Sequence, residues 1–225
     1  VADMGEHAPE AATPLPRGPG VTRYILTAAQ SNTAPHGPTW DNLLAFADHY
    51  RARVLVARVR YNHHAQALAG EKDDRPAERG LWYADAFADH FADDRLELAP
   101  GLVWAGDMNI LPTAVDPLSG LDAFGGAASV IFPHPRVALR SVPSGPGQPA
   151  KHLATTGAAT RPHYIKRKAG LKAEFHHGLG AALVEVDEAG TWWLRHLLAT
   201  SDAGVICDLD ARAEGGLVTT GHRVA

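Results

Sequence analysis

Short apolar runs separated by polar or Gly/Pro-rich stretches set the pattern of this chain. VTRYILTAA at 21–29 joins β-branched and aromatic residues over strand length, and reads as a buried strand. A polar loop, 30–36, comes after it. Thr39 then stands where it can cap a helix over TWDNLLAFADHYRA, in which Trp40, Leu43, Leu44, Ala47 and Tyr50 fall on one face. RVLVARVRY reads as the next strand. Strand, helix and strand make a βαβ unit, which sets two strands parallel and brings polar loops to their C-terminal ends.

Residues 62–97 are weakly patterned. Trp82, Tyr83, Phe87 and Phe91 suggest a helix on the core surface, and an irregular excursion is the competing reading. LVWAG is a third strand and delivers Asp107 and Asn109 into the loop DMNILPTAVDPLSGL. ASVIFPHP, VALRSV and KHLATTG supply a fourth, fifth and sixth. AALVEVD and TWWLRHLLA look like a hairpin turning at Glu188-Ala189-Gly190, and VICDLDAR with GLVTTGH like a second, marginal pair. Residues 1–20, rich in Pro, Gly and Ala, read as a disordered leader. The expected architecture is a single α/β domain over 21–225. Its sheet is Rossmann-like, three-layered and mostly parallel, with antiparallel additions towards the end.

Charge changes this picture locally. The 225 residues carry 21 Lys and Arg against 25 Asp and Glu, a net charge of −4. A uniformly DNA-coating protein is thereby disfavoured, and any basic cluster becomes informative. The single cysteine, Cys207, excludes an internal disulfide and a Cys-based zinc site, and in VICDLD it reads as a small buried core residue. A reducing cytoplasm fits that usage. No apolar run reaches the ~18–20 residues that span a bilayer, so no membrane partner is expected.

Candidate chemistry concentrates between 152 and 187. Arg161, Lys166, Arg167, Lys168 and Lys172 crowd together around Tyr164. Cations beside a stacking ring suit a phosphate or nucleotide strand, and a solvated loop is the plain alternative. Thr155 and Thr156 precede Gly157, a setting in which hydroxyls and backbone N–H groups can face an anion. P-loop spacing is absent. In an extended Ala-Glu-Phe-His-His stretch, Glu174 and His176 share one face and His177 takes the other. Glu174 and His176 are therefore a candidate acid/base pair, or two ligands of one divalent ion such as Mn or Mg. His134, His152 or His163 could add to them. Asp107 ends its strand where carboxylates often ligate metals or orient substrate. Gln30 and Asn32 end the first strand in the analogous place, where their amides can read a base or sugar. The loops after the first, third and sixth strands are expected to meet there.

TAAQSNTAPH, GDMNILPTAVDPLSGL, ATTGAAT and YIKRKAGLKAEFHHGLGAALVEVD together resemble the N-terminal half of a family of phage and prophage proteins. In its longer members this half precedes a calcineurin-like metallophosphoesterase domain. The likeness covers roughly residues 21–212. It implies a phosphoester or nucleic-acid setting, and a C-terminal phosphoesterase domain is expected beyond this chain. The dimetal signature D-x-H, G-D-x-x-D and G-N-H holds two ions ~3.5–4 Å apart. None of it occurs here, so phosphoesterase activity is not carried over. Two expectations result: a nucleotide- or nucleic-acid-recognising module without chemistry of its own, or a stand-alone metal-dependent hydrolase using Glu174, His176 and Asp107.

Overall fold

A computed structural model describes residues 11–61 and 81–222. In chain order it contains β1 (Thr13–Pro14), β2 (Thr22–Gln30), α1 (Gly37–Tyr50), β3 (Arg53–Val59), a 3-10 helix (Asp85–His90), β4 (Arg95–Ala99) and β5 (Leu102–Ala105). Next come β6 (Ser129–Phe132), β7 (Leu139–Val142), β8 (Lys151–Thr155), α2 (Lys168–Phe175), β9 (Gly180–Val186) and β10 (Trp192–Leu198). The small strands β11 (Ile206–Asp208), β12 (Ala211–Glu214) and β13 (Leu217–Thr219) complete the order. The class is mixed α/β, with strands far outnumbering helices.

Period-two alternation explains the layering. In β2, β3 and β9, Ile25, Val54, Val56, Ala181 and Leu183 point one way, and Tyr24, Leu26, Leu55, Ala57, Ala182 and Val184 the other. Both faces are therefore apolar. The first is covered by Trp40, Leu43, Phe46 and Ala47 of α1, with Phe87, Ile206, Ala211 and Ala213. The second packs on a six-stranded sheet through Leu96, Leu98, Leu102, Trp104, Ile131 and Ala154. Trp104 is fully buried, and its indole N–H donates to Ala92 O at 2.9 Å. The outer face of that larger sheet is closed by the 108–124 loop, whose Met108, Ile110, Leu118, Leu121 and Phe124 meet Val130, Phe132 and Leu153.

The βαβ start is present: β2 and β3 pair in parallel from Tyr24–Arg53 to Gln30–Val59. It does not grow into a single, mostly parallel sheet. β9 pairs antiparallel on the free edge of β2, so the first unit is closed off in the order β10-β9-β2-β3. The parallel pairs β5–β6 and β6–β8 then assemble in a separate sheet, β1-β4-β5-β6-β8-β7. β4 lies inside the stretch expected to be an excursion, and forms a hairpin with β5 across Pro100-Gly101. The surface helix expected near Trp82 is the 3-10 turn at Asp85–His90; residues 62–80 of that stretch lie outside the described residues. Residues 1–10 of the expected leader also lie outside them. Within its remainder, Thr13 and Pro14 form β1, which pairs with β4, and Leu15 N–H donates to Glu97 O.

Local geometry corrects three further expectations. Thr39 sits inside α1, and His36 holds the cap position with its Nδ1 at 2.8 Å from Thr39 Oγ1. β11 and β13 do not pair with each other; each pairs with β12 between them. Strand alternation then turns Ile206 and Asp208 inward and leaves Cys207 exposed, not in the core.

Two polar devices fasten the layers. Asn42 of α1 donates to Gly204 O and accepts from Gly216 N–H, clamping the small sheet. Lys151, only 5 % exposed, donates from its ammonium to Asp122 O, Phe124 O and Gly126 O at 2.6–2.8 Å. A buried cation is tolerated only when so satisfied. We expect Lys151→Met to cost about 1–3 kcal/mol, because three carbonyls lose a charged donor. The checks are urea denaturation and hydrogen exchange at 122–126. Unchanged stability with unchanged exchange would mean that the ammonium does not hold this loop.

Candidate functional site

The segment after β8 threads between the end of β2 and the start of β9. Ala158 bridges Ala28 on one side and Leu179 on the other. Ala159 N–H donates to Ala28 O, His36 N–H to Ala159 O, and Arg161 N–H to Ala34 O. Gln30 N–H donates to Thr160 Oγ1 at 3.2 Å. Gly157 makes the entry at φ +86, where a Cβ would sit 3.0 Å from Gly178 O. The loops after β2 and β8 therefore meet. The loop after β5 reaches the same end less directly, with Asn109 Oδ1 accepting from Arg60 N–H and Leu111 O lying 3.2 Å from His134 Nε2.

The threonines expected to face an anion are buried. Thr155 Oγ1 donates to Arg136 O and accepts from Ala138 N–H, both at 2.7 Å. Thr156 Oγ1 donates to Gly157 O and lies 3.4 Å from His134 N. These hydroxyls hold the loop together and are not presented outward. Gln30 Nε2 donates to His163 O, while its Oε1 is buried with no hydrogen-bond partner among the described residues. Asn32, at φ +56, exchanges hydrogen bonds with the backbone of Trp82. Tyr164 is buried edge-on to Tyr61 and gives its hydroxyl to a histidine, so its face is closed to a base.

That histidine is His177, which an extended reading of the segment turns away from Glu174 and His176. Its Nε2 lies 2.9 Å from Thr160 O, and a carbonyl only accepts, so Nε2 carries the proton. Nδ1 then accepts from Tyr164 OH at 2.7 Å. The ring is thus held neutral in one tautomer. Burial pushes its pKa down to about 4, aided by neighbouring His134 and His36. His134 is built alike: Nε2–H donates to Leu111 O, Nδ1 accepts from Arg136 N–H at 3.0 Å, and burial lowers its pKa. His196 adds a third tie, donating from Nε2 to Thr155 O at 2.7 Å. These histidines connect loops. Their sequence signal was density alone, which does not separate ties from ligands.

Glu174, His176 and Asp107 do not form a common centre. The stretch expected to be extended is α2, seated so closely that a Cβ on Gly170 would collide with Ile165 O. Glu174 pairs with Lys166 at 2.9 Å, and Asp107 with Arg95 at 2.7 Å. Among the described residues no three His, Cys, Asp or Glu side chains stand where they could hold one metal ion. Glu174, His176 and Asp107 therefore do not fit the alternative in which they share one divalent ion. His176 closes α2 and lines a shallow groove with Lys172, Ala173, Arg136 and the 112–115 turn. Arg161, Lys166, Arg167, Lys168 and Lys172 are exposed. Sequence reasoning missed Arg136 and Phe175, and it named His134 and His177 without seeing that they tie loops together. Only Phe175 had a usable signal, its i, i+4 spacing from Leu171, visible once the segment is read as a helix.

The chain is similar to Protein A1 of Escherichia phage T5, at 33% identity over 206 residues. The match covers 89% of this chain and 36% of that protein, so the chain spans about a third of its relative's length. No protein-family model matches, and no solved structure matches.

Neutral His177 makes stability depend on pH. Its pKa is depressed on folding, so the unfolded chain binds the extra proton as pH falls below about 6.5, and stability declines until about pH 4. Up to about 3 kcal/mol is at stake, from about 1.4 kcal/mol per pKa unit. His177→Gln should lose that part of the slope in urea melts taken from pH 7 to 4. An unchanged slope in the variant would show that the ring is not the titrating group.

Proposed function

We propose that this chain is a nucleotide- or nucleic-acid-recognising module of a phage-type phosphoesterase or nuclease, one that binds phosphates and performs no hydrolysis itself. The observation that carries the reading is the exposed cationic segment. Arg161, Lys166, Arg167, Lys168 and Lys172 all reach solvent in a chain of net charge −4. Elsewhere Arg23, Arg58, Arg140 and Arg195 are held against carboxylates, where their charge is neutralised locally. Of the segment's cations, Lys166 is shared with Glu174. Exposed cations in a row release counterions when they meet a phosphate backbone, which gives affinity without reading sequence. Similarity to a phage protein supports the setting, which in this reading is the cytoplasm of an infected cell. A phosphoesterase domain elsewhere in the full protein would then supply the chemistry. The self-contained hydrolase is disfavoured by the commitment of Glu174 to Lys166 and of Asp107 to Arg95.

Replacing Arg167, Lys168 and Lys172 together by Ala should weaken oligonucleotide binding at low salt. It should also flatten the slope of log K against log salt by about 2–3, since each lost phosphate contact contributes about 0.7–0.9. Equal affinity and slope in the variant would reduce the segment to a solvated face. The chain with Mn²⁺ added should turn over a generic phosphodiester no faster than its Glu174→Ala and His176→Ala variants. Robust metal-dependent turnover that disappears in both variants would replace this reading with the hydrolase.

A further inference from the structure

We infer that the outer face of α2 binds single-stranded nucleic acid, with the exposed Phe175 ring, which stands edge-on to the groove-lining His176, as the stacking surface for one unstacked base. The inference rests on the phosphate reading above and narrows its ligand from nucleic acid in general to single-stranded nucleic acid.

The residues of α2 are not explained by packing. Of its eight positions only Gly170 is fully buried. Leu171 and Phe175, one turn apart, are 53 % and 84 % exposed. Lys168 and Lys172 form the neighbouring ridge at the same i, i+4 spacing, so an apolar stripe runs beside a cationic one. Large apolar side chains that stay in water beside a functional surface mark a contact surface. Here its chemistry is a ring next to cations, the pairing that single strands use: phosphates take the charge and a base takes the ring.

A shallow groove adjoins this face. The 112–115 turn lines it together with Lys172, Ala173 and His176 of the helix end, and Arg136. Among the described residues no carboxylate lines it, because Glu174 is turned to Lys166. The groove is shallow and open to solvent, so a strand would lie across its lining and not be enclosed by it. A base inside a duplex keeps both faces stacked and cannot lie on Phe175.

The walls are also fixed in advance. His134 donates from Nε2 to Leu111 O and accepts at Nδ1 from Arg136 N–H, so one buried imidazole sets the spacing between the turn and Arg136. Gly178 N–H donates to Pro135 O and ties the end of α2 to the same strut. Such ties lower the ordering cost of binding. His134 is a positioning residue here and does not touch the ligand.

The test is fluorescence anisotropy with an oligo(dT) about a dozen nucleotides long, within the usual site sizes of single-strand binders. A blunt duplex of equal length is the comparison, over a series of salt concentrations. Phe175→Ala, Phe175→Trp and Arg136→Gln are compared with the parent chain, and thermal melts check that each is folded. The parent should prefer the single strand. Phe175→Ala should weaken oligo(dT) by roughly tenfold with its salt slope intact, Phe175→Trp should restore it, and Arg136→Gln should flatten the slope. If Phe175→Ala binds oligo(dT) like the parent while the Arg167, Lys168 and Lys172 variant still weakens it, this inference fails and the phosphate reading stands. If neither changes binding, both fail. Equal loss on duplex and single strand overturns the single-strand assignment. Binding to phosphatidylserine vesicles that depends on Phe175, with no oligonucleotide binding, overturns both by making the ridge a membrane contact.

Discussion

Two apolar faces on one four-stranded sheet have to be removed from water at once, and the placement of every other layer answers to that constraint. β2 lies at its centre with β3 and β9 on either side, and its residues alternate between the two cores. A helix and a three-stranded flap cover one face; a second sheet covers the other. Each large side chain buried there contributes roughly 1.5–3 kcal/mol. At the rim of the helical side the sheet meets charge, where Arg23, Glu185, Arg195 and Asp208 form one hydrogen-bonded row joined by Tyr50. Burial alone would raise the Glu185 carboxyl, but its bonds to both arginines hold it below the usual range. Burial and the bond to Asp208 push Tyr50 up to about 12, so its hydroxyl keeps its proton across the physiological range.

At the sheet ends the polar residues are occupied in joining loops. Thr155, Thr156 and Thr160, His134 and His177, and Asn32 all close internal bonds. The exposed cations and the Phe175 ring lie one layer further out, on α2 and the segment that leads into it. The interior gives this surface its rigidity through neutral imidazoles. The surface itself holds the cations and the ring.

The runs 21–29, 53–59 and 180–186 are legible as strands because their apolar residues are continuous, as doubly buried strands require. The hairpin over Gly190 is legible from its turn residues, and the basic segment from charge alone. Which strand pairs with which is not. β9 and β5 both read as apolar strands, and no local feature states that β9, rather than a parallel neighbour, takes the free edge of β2. β4 and β12 are five and four residues long and mix charge with apolar positions, so no period stands out. Residues 173–177, taken as extended, group His176 with Glu174 and turn His177 away, whereas a helix runs through Lys168–Phe175. Its first turn folds back on the preceding Ile165, where the absence of a side chain at Gly170 lets the two backbones approach. Tyr164 lies among the cations in sequence, yet its ring faces Tyr61. Composition places a residue near a patch and says nothing of the direction in which its ring turns.

The pairing of β2 with β9 has a consequence for synthesis. Arg23 and Glu185 are neighbours across the sheet and 162 residues apart along the chain. As the chain leaves the ribosome, β2, α1 and β3 can associate early, because their contacts are local. The edge of β2 nevertheless remains an unsatisfied row of N–H and C=O groups until β9 emerges, and the face that will meet Trp104 waits for β5. Long-range pairing of this kind slows folding and keeps sticky edges open while it is awaited. The nascent protein therefore passes through a long interval as a half-built sheet, vulnerable to self-association and dependent on whatever shields it, before β9 closes the edge.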